Sequence, residues 1–288
     1  MESISTPDVM FPNIGIQIAN LPRAAFSLFG ISVYWYGLLI TLGVLCGILY
    51  ATREAKRTGQ NPNLYMDFSI VAIITSIIGA RIYFVIFSWH LYRDNLMSIF
   101  NLRLGGLAIY GVIIAAVLTA YFFAKFKKLD FFVFADTAVP GLVIGQVIGR
   151  FGNFFNREAF GGYTDGLFAM RYLADQVSFI PYEVEQTIVT FARARYIQVH
   201  PTFLYEAFGC LLIFIGLNLY KSRKKFNGEL FFIYLAGYGI LRAFIEGIRT
   251  DQLLLWGTSI AVSQILSVIA AVFGISMIIY CRKKGLKQ

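Results

Sequence analysis

Residues Ile148 to Gly162 read IGRFGNFFNREAFGG and close an apolar run that begins at Phe131. Arg150 therefore sits in lipid or at its edge, where a charged side chain costs roughly 2.5 kcal/mol or more on insertion scales. Such a cost calls for an anionic partner, unless the side chain simply snorkels to lipid phosphates. Just upstream, Gly141, Gly145 and Gly149 recur at every fourth position, a small-residue spacing that lets helices approach closely. A helix end packed that tightly fixes Arg150 and Asn153 in place.

The rest of the chain agrees with a membrane setting. It is 58% hydrophobic and 14% charged over 288 residues, too apolar for a soluble domain of this size. Runs long enough to cross a bilayer, each about 20 residues, span Ile31 to Ala51, Met66 to Phe87, Leu107 to Ala124, Phe131 to Phe151, Thr202 to Leu219, Glu229 to Ile248 and Ser259 to Tyr280. The expected fold is an all-α polytopic membrane protein with about seven transmembrane helices. Phe11 to Phe29 is also apolar, but Pro12, Pro22 and Arg23 interrupt it, so it reads as an interfacial arm; the competing reading is an eighth span. The expected division is an arm at 1–30, four spans in 31–155, a head segment at 156–200, three spans in 201–281 and a tail at 282–288.

Lysine sets the orientation. All ten lysines fall in four alternate segments, around Lys56, around Lys125 to Lys128, around Lys221 to Lys225, and in the tail from Lys283. By the positive-inside rule these face the cytoplasm, which puts the amino terminus outside, the carboxyl terminus inside and residues 156–200 in a small extracytoplasmic head. The net charge of +9 then reflects topology and not nucleic-acid binding. Away from those segments every basic residue is arginine, Arg23, Arg81, Arg93, Arg103, Arg150, Arg157, Arg171, Arg193, Arg195, Arg242 and Arg249. The planar guanidinium fork grips phosphate or carboxylate with two bonds and keeps its charge when partly desolvated.

MESISTPD lacks the basic start of a cleavable signal, so the first span is expected to stay in place. Cys46, Cys210 and Cys281 lie inside or at the ends of spans without a pairing pattern and read as small core residues. With His90 and His200 as the two histidines, neither a metal site nor any other cofactor is indicated.

Tyr238, Arg242, Glu246 and Arg249 are spaced 4, 4 and 3 residues apart, which puts them on one stripe of a helix facing away from lipid. Either Arg242 and Glu246 form a buried ion pair, or Arg249 takes that carboxylate and frees Arg242. Tyr36 belongs to the triplet Tyr34, Trp35, Tyr36, which reads as an aromatic belt unless the Tyr36 hydroxyl turns inward. GGLAIYG from Gly105 puts a tight turn before Tyr110, and HPTFLYE from His200 starts a helix at Pro201. About 45 residues between Asn156 and His200 exceed an ordinary loop and should carry structure of their own.

These motifs together resemble the prolipoprotein diacylglyceryl transferases. GRFGNFFNREAFGG from Gly149 is similar to the family signature, and WYG at Trp35, GARIYF at Gly79, GGLAIYG at Gly105, HPTFLYE at His200 and YGILRAFIEGIR at Tyr238 occur in the family's order. The resemblance implies transfer of the diacylglyceryl group of phosphatidylglycerol to the lipobox cysteine of a preprolipoprotein, at the outer face of the bacterial plasma membrane, with glycerol phosphate released. It implies Arg150 on the lipid phosphate and Arg242 as the second essential arginine. It further implies that Asn153, Gly161, Tyr36 and Tyr238 line the site; the stripe adds Glu246 and Arg249 as candidate binding residues, and His200 is a weaker candidate base. Many members carry histidine where this chain has Tyr110 and others carry tyrosine, which leaves the base to be identified. Two other classes fit buried arginines, an anion transporter and another lipid-head-group enzyme such as a phosphatase. The first would want a midplane site between repeated halves, and the second a histidine or carboxylate nucleophile.

Overall fold

A computed structural model describes residues 6–102, 105–255, 257–258 and 260–285. Arg103, Lys287, Ser259 and the first five residues lie outside that set. Among the described residues, seven helices are long and apolar enough to cross a membrane. They are α1 (Trp35–Arg57), α2 (Asn63–Phe87), α3 (Ile109–Phe126), α4 (Phe131–Asn156), α6 (Thr202–Tyr220), α7 (Glu229–Ile248) and α8 (Val262–Lys283), and a single turn, α5 (Tyr182–Glu185), lies between α4 and α6. Large apolar side chains such as Ile70, Ile86, Phe208, Phe244 and Val272 stay exposed along them. That is the expected state of helices whose solvent is hydrocarbon and whose backbone bonds are met internally. Asp130 caps α4 by accepting from the amides of Phe132 and Val133.

The apolar stretch Phe11 to Phe29 is not helical. It holds a 3-10 turn at Pro12–Ile14 and strands β2 (Ile16–Ile18) and β3 (Ala24–Leu28), so the eighth-span reading is excluded. With β1 (Val9–Phe11), β2 joins β5 (Met170–Leu173), β6 (Val189–Phe191) and β7 (Ala194–Val199) in an antiparallel sheet of order β2-β1-β5-β7-β6. Val9 faces Tyr172 and Met10 faces Arg171, pairings that join distant parts of the chain, and Tyr172 in turn faces Ile197. Separately, β3 pairs with β4 (Ile31–Tyr34) in a hairpin that leads directly into α1.

The chain divides into two compact units, Met1–Gly47 with Val139–Gln288, and Ile48–Ala138. In the first, one face of the sheet buries Val9, Met170, Tyr172, Ile197 and Val199 with Phe160 and Phe203. Asp8 ties this core together, accepting from the Leu21 amide and Gln176 and pairing with buried Arg157 at 3.5 Å. A second core joins Val139 and Val143 of α4 to Cys210 and Leu217 of α6 and Leu230 and Tyr234 of α7. The glycine repeat crosses α1 at close range: a Cβ on Gly141 would fall 2.5 Å from the Gly47 carbonyl, and one on Gly43 would fall 2.8 Å from the Gly145 carbonyl.

In the second unit Tyr65, Phe123 and Phe134 pack α2, α3 and α4 together, and Arg81 sits buried near the end of α2. Among the described residues its guanidinium meets no anion. It donates to the carbonyls of Ser98, Ile99, Asn101, Gly105 and Gly106 at 2.6 to 3.2 Å, and lies over the Tyr92 ring. One arginine thus closes the turn before α3, where Gly105 and Gly106 take left-handed φ of 79° and 81°.

Candidate active site

Glu206, one turn into α6 and 1% exposed, is the centre of the polar cluster in the first unit. Its Oε1 accepts from the Tyr238 hydroxyl at 3.0 Å and lies 2.7 Å from Nη2 of Arg150. Its Oε2 accepts from Nη1 of Arg242 at 3.2 Å. Three helices thereby converge on one carboxylate, with Arg150 from α4 and Tyr238 and Arg242 from α7. A carboxylate this deep is stable only when paired and hydrogen-bonded on both oxygens, and two guanidinium groups sharing it hold each other apart at a fixed spacing.

Arg242 also reaches Oε2 of Glu246 at 2.5 Å, a contact of charges that is not aligned as a hydrogen bond. Arg249 does not take the Glu246 carboxylate. It binds Asp251 through two bonds, Nε to Oδ1 at 2.9 Å and Nη2 to Oδ2 at 2.7 Å. The reason is the end of α7 at Ile248: Arg249 is extended, at φ −73° and ψ 150°, and Asp251 can reach back to it. Burial, the largest single influence, pushes the Asp251 carboxyl up, but the hydrogen bond and the charge of Arg249, with a backbone bond and the charge of Arg242, together hold it below the usual carboxylate range. Arg150 and Arg242 are balanced by Glu206 and Glu246, and Arg249 by Asp251, so the cluster carries no net charge at rest. Each guanidinium nevertheless carries five N–H donors, more than these carboxylates occupy.

Gly161 and Gly162 thread between His200 and the end of α7. The Gly161 amide donates to the His200 carbonyl, the His200 amide to the Gly162 carbonyl, and the Gly162 amide to the Ile248 carbonyl, all at 3.0 to 3.1 Å. A Cβ on Gly161 would meet the Ile248 carbonyl at 2.7 Å and the His200 Cβ at 2.8 Å, so only glycine fits. The His200 ring faces the Tyr205 hydroxyl at 3.4 Å, and burial pushes its pKa below the ordinary histidine value. Tyr36 lies against Gly152 of α4, two residues beyond Arg150.

Arg150, Tyr238, Arg242 and Glu246 therefore meet around one point, with Tyr36, Asn153, Gly161, His200 and Arg249 in the same unit. Tyr110 stands at the start of α3 in the second unit, beside Tyr83 at 6.0 Å between rings. Two acids that the sequence reading did not single out belong to the cluster and its border. Glu206 was visible as an acid inside an apolar run. Glu158 follows Arg157 in sequence, but left-handed backbone at Arg157 and Ala159 (φ 54° and 56°) parts the two: Arg157 is buried in the head, and Glu158 is exposed and held by Asn153 and Asn156.

Residues 23–280 match the family described as prolipoprotein diacylglyceryl transferase. Relatives that bear the name phosphatidylglycerol–prolipoprotein diacylglyceryl transferase include three from different genera. That of Finegoldia magna is 42% identical over 93% of this chain and 99% of its own length. The Clostridioides difficile protein is 40% identical, covering 92% and 97%, and that of Listeria innocua is 41% identical, covering 94% of each.

Proposed function

Because the chain belongs to the prolipoprotein diacylglyceryl transferase family, we propose that it transfers the diacylglyceryl group of phosphatidylglycerol to the lipobox cysteine thiol of a preprolipoprotein. The chain is a multi-pass membrane protein. The lysine distribution supports a plasma-membrane orientation with the amino terminus and the site on the extracytoplasmic side, where an exported lipobox cysteine arrives. The observation that carries the chemical reading is the pair of partly buried arginines fixed on Glu206 in a membrane-spanning bundle.

The reaction breaks the bond between the diacylglyceryl carbon and the phosphate oxygen. Sulfur attacks that carbon, the electron pair stays on oxygen, and the products are a thioether, glycerol phosphate and the thiol's proton. The leaving group is a phosphate monoester with a second pKa of about 6, already stable as an anion. The costly event is the movement of charge from sulfur to phosphate where water is scarce, and fixed donors aimed at the developing charge are the most effective remedy. In this reading Arg150 holds the phosphate with donors that Glu206 leaves free, and Arg242 stabilises the charge that arrives.

Arginines near the thiol also favour its thiolate. Neutral His200 is a form able to accept a proton, and Tyr110 orients phosphate or thiol by hydrogen bonding. Tyr36, Asn153, Gly161, Tyr238, Glu246 and Arg249 complete the site. The test is incubation of the purified protein with phosphatidylglycerol and a lipobox peptide in cysteine and serine forms. A diacylglyceryl mass on the cysteine peptide alone supports transfer, and release of free inorganic phosphate without an adduct would replace transfer with a phosphatase.

A further inference from the structure

A phosphodiester and a polyol ask opposite things of a protein, since the first needs donors and the second also needs acceptors. The arginines around Glu206 supply donors. The segment one turn beyond Arg150 supplies acceptors. Asn153 and Asn156 both donate their side-chain amide to Oε1 of Glu158, at 3.0 and 3.3 Å. Those bonds fix which way each amide points and leave Asn153 Oδ1, Asn156 Oδ1 and Glu158 Oε2 as three acceptors with no protein donor among the described residues.

Glu158 and Asn156 line a cleft of about 660 Å³ with Arg23, Tyr36, Thr41 and Ser178. Among the described residues that line it the one cation is Arg23, which already donates to the Gln176 carbonyl and to Ser178 Oγ. Tyr36 borders this cleft and its ring lies against Gly152, two residues beyond Arg150 on α4, so the acceptors and the arginine cluster are neighbours along one helix end. A phosphate on Arg150 would leave the rest of a lipid headgroup to be met by an acceptor-rich wall.

Resting on the transfer reading above, we propose that Glu158, with the amide oxygens of Asn153 and Asn156, binds the hydroxyls of the glycerol headgroup and so sets which phospholipid is accepted. Glu158 is then a specificity residue and not the base.

The test compares two donors of equal charge, phosphatidylglycerol and phosphatidylpropanol, the second lacking both headgroup hydroxyls. The full-length protein is used in detergent with a lipobox peptide. Hydrogen bonds to a charged acceptor correspond to roughly a 10- to 100-fold preference for phosphatidylglycerol in kcat/KM. Glu158→Gln should reduce that preference about tenfold, mainly through KM for phosphatidylglycerol, and Asn156→Ala should reduce it in the same direction. Asn156→Ala also decides the matter should Glu158→Gln fold poorly. An unchanged preference in the variants, or an equal loss of kcat with both donors, would overturn the proposal. No adduct from either lipid in the parent protein would instead overturn the transfer reading, and the headgroup assignment with it.

Discussion

Replacing Glu206 with glutamine changes one atom and dismantles the centre of the cluster. The shape is retained, but the charge that neutralises Arg150 at 2.7 Å and Arg242 at 3.2 Å is gone, and the new amide NH2 faces donors instead of accepting from them. Breaking a buried pair by removing one partner costs about 3 to 5 kcal/mol, because the other charge stays buried and uncompensated. Arg242 keeps Glu246, so the greater share falls on Arg150. We expect unfolding in mixed SDS micelles to show a loss of that size. Turnover should respond differently from lipid affinity. The cluster gains positive charge, so KM for phosphatidylglycerol should hold or fall, while kcat should drop about 100-fold as Arg150 leaves its fixed position, the scale of losing one preorganised donor. A Glu206→Gln protein as stable and as active as the parent would refute the idea that Glu206 sets the spacing of the two arginines.

Gly161→Ala should cost about 1 to 3 kcal/mol by forced overpacking and lower activity further, because the Ile248 carbonyl it strikes precedes Arg249; a variant that melts and turns over normally would contradict this. Tyr110→Phe should cost on the order of 1 to 3 kcal/mol in transition-state stabilisation and keep the shape of the pH profile; a loss above about a thousandfold with an altered profile, in a protein still binding lipid, would make Tyr110 the base. His200 has a folded pKa below its unfolded value, so the stability linked to its neutral form is complete above about pH 6.5 and is lost as the pH falls toward the folded pKa. His200→Gln should flatten that part of the stability curve, as followed by unfolding titrations between pH 5 and 8.

Much of this was legible in the sequence because the bilayer imposes a length and a polarity on every span. The seven apolar runs correspond to α1 to α4 and α6 to α8, and the stripe from Tyr238 to Glu246 lies opposite exposed Ile240 and Phe244. The sheet was not legible in the same way, because Val9 reaches Tyr172 by a pairing that no local period encodes. Glu206 obeys the same rule that drew attention to Arg150, an ionisable group in an apolar run, but its position at the close of HPTFLYE made it read as motif. Arg249 followed helical spacing on paper, and its true partner depended on where α7 ends. Arg81 shows that a buried arginine can be satisfied by carbonyls alone, so the arginine census overstates the number of anion sites.

The central claim is that sulfur displaces phosphate at the diacylglyceryl carbon. Its most direct test is the mass of a lipobox peptide after incubation with phosphatidylglycerol deuterated in the diacylglyceryl glycerol and carrying carbon-13 in the headgroup glycerol. The account predicts that the peptide gains the deuterated diacylglyceryl group through its cysteine and that all carbon-13 leaves as glycerol phosphate. Carbon-13 on the peptide, or an unmodified peptide with consumed lipid, would contradict it.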